Sequence, residues 1–189
     1  TCALPSLGQL PQIRLDAVFP PGAQIGTSVD VTVANTGEGY LDEANRLIFS
    51  NPGIKASQKM QDSAGKKVAI ANQYVVTVDK SVKPGMYEVR TVGLYGVSNP
   101  RTFVVSSRKE IQEKEANNSF ELATPIELNS VVNARSNGVA DIDFYKFQGK
   151  SGQRVIISPQ AGKIDSRKRI TLEVFDSNHR RLTYAPSVL

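Results

Sequence analysis

The sequence has no tryptophan, one cysteine and one histidine among 189 residues. With Cys2 alone, an intramolecular disulfide and any multi-cysteine zinc site are excluded. His179 is the one imidazole, and it sits in Asp176-Ser-Asn-His-Arg180, a predicted hairpin turn. A hydrolytic triad needs its base beside a nucleophile, and neither a Gly-x-Ser-x-Gly elbow nor a comparable signature is present. His179 therefore reads as an exposed turn residue. No apolar run approaches the ~20 residues of a membrane span. Gly37 and Gly39 lack the helical pattern and the Gly-Lys-Ser/Thr of a phosphate loop, so they read as a hairpin turn. The chain reads as non-catalytic.

What is present points to strands. Val, Ile and Thr are frequent, and 14 glycines and 10 prolines recur at short intervals. The net charge is +5, with basic residues concentrated in Lys163 to Arg181. That run suits either a salt-dependent attraction to polyanions or solvated strand edges, where cations also discourage aggregation. The edge reading is adopted, and nucleic acid is not expected as a partner. Residues 1–10 are expected to be disordered or a signal remnant, because Thr1 to Gln9 has the small, apolar look of a cleavage region.

Residues 11–105 read as an all-β unit. In Ser28-Val-Asp-Val-Thr-Val-Ala34, Val29, Val31 and Val33 face one way and Ser28, Asp30 and Thr32 the other. Further strands are expected over Ile13–Phe19, Arg46–Ser50, Lys67–Val78, Met86–Val92 and Arg101–Val105. Turns are expected at Pro20-Pro-Gly22, Asn35–Gly39, Asn51-Pro-Gly53 and Lys83-Pro-Gly85. Gly93 and Gly96 bracket a turn or bulge. Tyr87 and Tyr95 read as core aromatics. Turn signals at this spacing predict an immunoglobulin-type β-sandwich.

Residues 106–116 form a charged connector, either a helical turn or extended. At its end Glu113-Lys-Glu-Ala-Asn-Asn-Ser119 packs oxygen-bearing side chains together. On an extended backbone Glu113, Glu115 and Asn117 share one side, and Asn118 can turn back toward them. Asp141 and Asp143 repeat the i, i+2 spacing. Such oxygens suit a hard cation such as calcium, and they equally suit a solvated linker. Asn117-Asn-Ser119 also fits an N-glycosylation acceptor, which would compete for the same side chains. Asp141 and Asp143 as a glycosidase pair is the weaker reading, since they sit together on one strand. Beyond the connector, Ser119–Thr124 reads as a capped turn. Strands are expected over Ile126–Val132, Asp141–Gln148, Arg154–Ser158 and Ile170–Phe175, with another starting at Arg181–Tyr184.

Two resemblances sharpen this. Glu113-Lys-Glu-Ala-Asn-Asn-Ser119, Ala123-Thr-Pro125, Asp141-Ile-Asp-Phe-Tyr-Lys-Phe147 and Gly149-Lys-Ser-Gly-Gln153 resemble the bacterial pre-peptidase C-terminal domain. They are also similar to the collagen-binding domain of clostridial collagenases, a jelly-roll sandwich that binds calcium at its N-terminal linker. Phe19–Thr27, Leu47–Ile54 and Pro84–Val105 resemble the amino-terminal portion of large secreted planctomycete proteins. There an immunoglobulin-like domain of the IPT/TIG kind precedes a pre-peptidase C-terminal domain.

The resemblance implies two β-sandwich domains in tandem, the second spanning 117–189 and incomplete at its C-terminus. It implies calcium, held by Glu113, Glu115, Asn117, Asn118 and Asp141, with Asp143 as an addition. Ala116 departs from the family's usual proline, which changes backbone restriction and removes no ligand. The expected function is a secreted, periplasmic or cell-surface binding and scaffolding segment for an extracellular protein or polysaccharide. The alternative is an accessory region of a larger secreted enzyme such as a peptidase. The second domain is short for its family, so the chain is expected to be a fragment, a processed product, or a domain completed by a strand from a partner chain.

Overall fold

The computed structural model describes residues 13–34, 44–94, 96–138 and 141–188. The expected turn at Asn35–Gly39, Tyr95 and the Thr1–Gln9 segment with Cys2 lie outside the described residues. The strands are β1 (Ala17–Phe19), β2 (Gly22–Gln24), β3 (Ser28–Ala34), β4 (Ala44–Phe49), β5 (Ile54–Ser63) and β6 (Lys66–Val78). They continue as β7 (Gly85–Gly93), β8 (Gly96–Val97), β9 (Arg101–Ser106), β10 (Lys109–Gln112), β11 (Thr124–Pro125) and β12 (Ser130–Asn133). The last are β13 (Tyr145–Lys146), β14 (Ile170–Phe175) and β15 (Arg181–Val188), with a 3₁₀ turn at Gly162–Ile164 between β13 and β14. The protein is all-β.

Two sheets build the first half. One runs β1-β3-β6-β5 and the other β2-β9-β7-β4, with β8 hairpinned onto β7. Between them lie Leu15, Val31, Val33, Tyr74, Val76, Val78, Val89, Phe103 and Val105, all buried. The period-2 pattern of β3 explains its placement: Val31 and Val33 enter this core while Asp30 and Thr32 stay exposed. Phe49 meets Phe103 edge-on, with centroids 5.3 Å apart. β5 and β6 extend beyond the core as a hairpin closed by Ala64 and Gly65, both at positive φ (50° and 78°), as a two-residue turn requires.

One expectation for this half needs correction. Pro20-Pro-Gly22 does not simply break the chain, because Gly22 opens β2, which runs parallel to β9. A Cβ at Gly22 would lie 2.4 Å from the Val104 carbonyl oxygen, so only glycine permits this pairing. Tyr87 packs half-buried against this core, as expected, its hydroxyl donating to the Lys83 carbonyl at 2.9 Å, and Tyr74 is the more deeply buried tyrosine.

Downstream the ladders are short. β10 pairs with β12 and β11 with β13, both parallel, and β14 pairs with β15 antiparallel. The charged connector is thus extended, with its middle recruited into a ladder. Apolar burial is sparse: among the described residues beyond 106, Ala123 and Ala161 are the buried hydrophobics. Phe120 supplies a satellite cluster, edge-on to Phe144 and Phe175. His179 is exposed on its turn, as expected, and lies flat on Phe120 with centroids 4.0 Å apart. The expected strand at Arg154–Ser158 forms no ladder, since no described strand lies alongside it.

The two halves touch. The Arg135 guanidinium sits 3.9 Å from the centroid of the Phe19 ring. The Asp165 carboxylate accepts the Thr102 amide proton at 2.8 Å.

Candidate metal centre

Two ladders bring the acidic residues together. β10 ends at Gln112, and the next amide, Glu113 N–H, donates to the Asn133 carbonyl at 3.0 Å. On the other side, β13 is held against β11, and Phe144 N–H donates to the Asn117 carbonyl at 2.8 Å. The connector is thereby pinned beside residues 143–145. Carboxylate oxygens of Glu113, Glu115 and Asp143 all lie within 4.8 Å of one another.

Asn117 lies beside this trio and is 0% exposed. One end of its carboxamide is 3.0 Å from Glu115 Oε2 and 3.3 Å from Asp143 Oδ1. With Nδ2 at that end, the amide donates to both carboxylates. With Oδ1 there, an oxygen faces two anions, which is favourable only if a cation lies between them.

Several of these oxygens already accept protein donors, both of Glu113's among them. The Tyr145 hydroxyl donates to Glu113 Oε2 at 2.6 Å, and the Arg135 amide donates to Glu113 Oε1. Asn137 Nδ2 donates to Glu115 Oε1, and the Asn137 amide donates to Asp141 Oδ2. Supporting hydrogen bonds of this kind orient carboxylates and preorganise a metal site. Of the six residues singled out in the sequence, Glu113, Glu115, Asn117 and Asp143 converge. Asp141 stands at the edge, partnered by Asn137 and close enough for its charge to act on Asp143. Asn118 is exposed. Tyr145, Asn137 and Arg135 were not singled out. Tyr145 was within reach of pattern reasoning, because it continues the i, i+2 series of Asp141 and Asp143.

The electrostatics show the cost of the arrangement. The Asp143 carboxyl is pushed up to about 6, first by burial and then by the charges of Glu113, Asp141 and Glu115. Burial, and then Glu113, push the Tyr145 phenol well above its ordinary range. Each like-charge pair at ~4 Å costs between about 1 kcal/mol in water and about 4 kcal/mol at an effective dielectric of 20. A divalent cation would turn these repulsions into ligation. Three carboxylates, which can bind through one or both oxygens, and one carboxamide approach the six to eight oxygens that calcium takes.

No family model matches the chain, and no curated protein matches it significantly. Among solved structures it is similar to the Bacteroides ovatus mixed-linkage glucan utilization locus protein SGBP-B, in complex with a mixed-linkage heptasaccharide. The identity is 13% and the TM-score 0.36, over 96% of this chain and 46% of that one. The chain thus spans less than half of that protein's length, and at this level the likeness carries no argument about function.

Proposed function

We propose that this chain is a non-catalytic binding and scaffolding segment whose two β-modules, 11–105 and 117–189, meet at a calcium-stabilised junction. The observation that carries this reading is Asn117. It is fully buried, yet its carboxamide is aimed at Glu115 and Asp143 inside a cluster of three carboxylates. Glu113, Glu115, Asn117 and Asp143 would hold the ion, with Asp141 at the edge of the site.

The ion would supply neutralising charge and no reaction step. The chain's own groups do the mechanical work. Glu113 grips the backbone of Arg135, whose guanidinium lies over Phe19 of the first module. Fixing Glu113 therefore fixes a contact between the modules. Ion binding to this folded arrangement alone adds stability by mass action. Such a junction suits a segment that holds an extracellular protein or polysaccharide at a set orientation, in a secreted, periplasmic or cell-surface setting.

The test is a calorimetric calcium titration of this chain beside a Glu115→Ala, Asp143→Ala double variant. Saturable binding in the parent and none in the variant is the expected result. No heat from the parent up to millimolar calcium overturns the reading.

A further inference from the structure

The run Arg154-Val-Ile-Ile-Ser158 has the composition of a strand and no strand partner among the described residues. Gly152, at φ 76°, and Pro159 bound it. Every residue from 151 to 158 is exposed. Ile156 leaves 76% of its surface open, against 37% for Val155 and 44% for Ile157. Ile156 is thus the most open of three exposed aliphatic residues in a row, with its two neighbours less so, the alternation a strand would give. Among the described residues, no backbone hydrogen bond reaches 154–160. An apolar, strand-forming run whose N–H and C=O groups are open is a template for strand addition.

The surrounding charge says what kind of strand fits. From Phe144 to Ile164 the sequence carries Lys146, Lys150, Arg154 and Lys163 and not a single acid. A second copy would set one cationic stretch against another. We infer that Arg154–Ser158 is a docking edge for an extended polypeptide strand in which apolar and acidic residues alternate. Main-chain hydrogen bonds supply the affinity in this mode of recognition, and side chains at alternate positions supply the choice. An apolar residue opposite Ile156 covers its open surface. An acid opposite Arg154 makes the cross-strand ion pair. The inference is independent of the cation site.

The probe is a fluorescein-labelled peptide alternating glutamate and valine. Its counterpart has lysine in place of glutamate, and a third peptide has the acidic composition scrambled. Fluorescence anisotropy with the full chain is expected to show the alternating acidic peptide binding at least ~10-fold tighter than either control, with affinity falling as salt rises. Ile156→Pro removes an N–H and Ile156→Lys reverses the surface. Each is expected to cost at least ~10-fold, while Met86→Lys, exposed on β7, changes nothing. Neither position-156 variant breaks a native ladder, so their circular dichroism should match the parent. Equal binding of acidic and lysine peptides would overturn the inference. So would insensitivity to Ile156→Pro, binding confined to a sulfated polysaccharide, or a concentration-dependent dimer lost in Ile156→Pro.

Discussion

Replacing Asn117 by aspartate keeps the shape of the side chain and adds a charge. The altered group would lie about 3 Å from Glu115 Oε2 and Asp143 Oδ1, where the amide now stands at 3.0 and 3.3 Å. At that distance and an effective dielectric of about 20, each contact between ionised groups would cost about 5 kcal/mol. The chain can avoid most of this by taking up a proton. Holding a carboxyl with an ordinary pKa near 4 protonated at pH 7 costs about 4 kcal/mol, which caps the penalty. In chelator, Asn117→Asp should therefore lose about 2–4 kcal/mol, or roughly 5–15 °C in Tm for a chain of this size. In saturating calcium the same substitution adds a charged ligand, and the loss should shrink or change sign. Asn117→Leu is the control: it removes the amide without adding charge and should destabilise under both conditions. Scanning calorimetry of the three proteins reads this out directly. If Asn117→Asp is equally destabilised with and without calcium, no ion sits beside that side chain and the reasoning fails.

In chelator, the raised Asp143 carboxyl binds its proton more tightly in the folded chain than in the unfolded one. Its contribution to stability is full below pH 3.8 and is lost as pH rises through about 6. Tm in chelator should fall over that window, and Asp143→Asn should flatten the fall. Arg135→Ala should weaken the contact between the two halves by about 1 kcal/mol, the scale of one cation–π pair, measurable by urea unfolding. Thr91 is buried, and its hydroxyl has no partner among the described residues. Thr91→Val should accordingly be neutral or raise stability by about 1 kcal/mol in the same urea assay. Phe103→Ala empties the centre of the first sandwich and should cost about 3–5 kcal/mol.

How much of this could be read from the residues depends on where the burial lies. β3 was legible to the residue, since alternating valines facing a core leave no second register. β14 was legible from its alternation alone, Ile170, Leu172 and Val174 half-buried and Thr171 and Glu173 exposed, with Asp176-Ser-Asn178 closing its hairpin. β2 was missed because a three-residue strand that opens on the glycine of Pro-Pro-Gly reads as punctuation, and nothing local reveals that Gly22 packs on Val104. The failure at Arg154–Ser158 is the instructive one. Strand propensity is a fit to a pleated, half-buried surface, and those residues have no such surface beside them.

The candidate site follows the same logic from the other side. Spacing along the connector was enough to put Glu113, Glu115 and Asn117 on one side of an extended chain. It could not rank Asp141 against Asp143, because successive acids at i and i+2 look alike until a partner strand sets their depth. The structure ranks them through β13: the Phe144 amide binds the Asn117 carbonyl, which draws Asp143 inward and leaves Asp141 to the Asn137 amide. The rise of Asp143 to about 6 is the electrostatic trace of that depth. Its ionisation is penalised first by burial and then by three neighbouring carboxylates, and a divalent ion beside it would relieve both penalties.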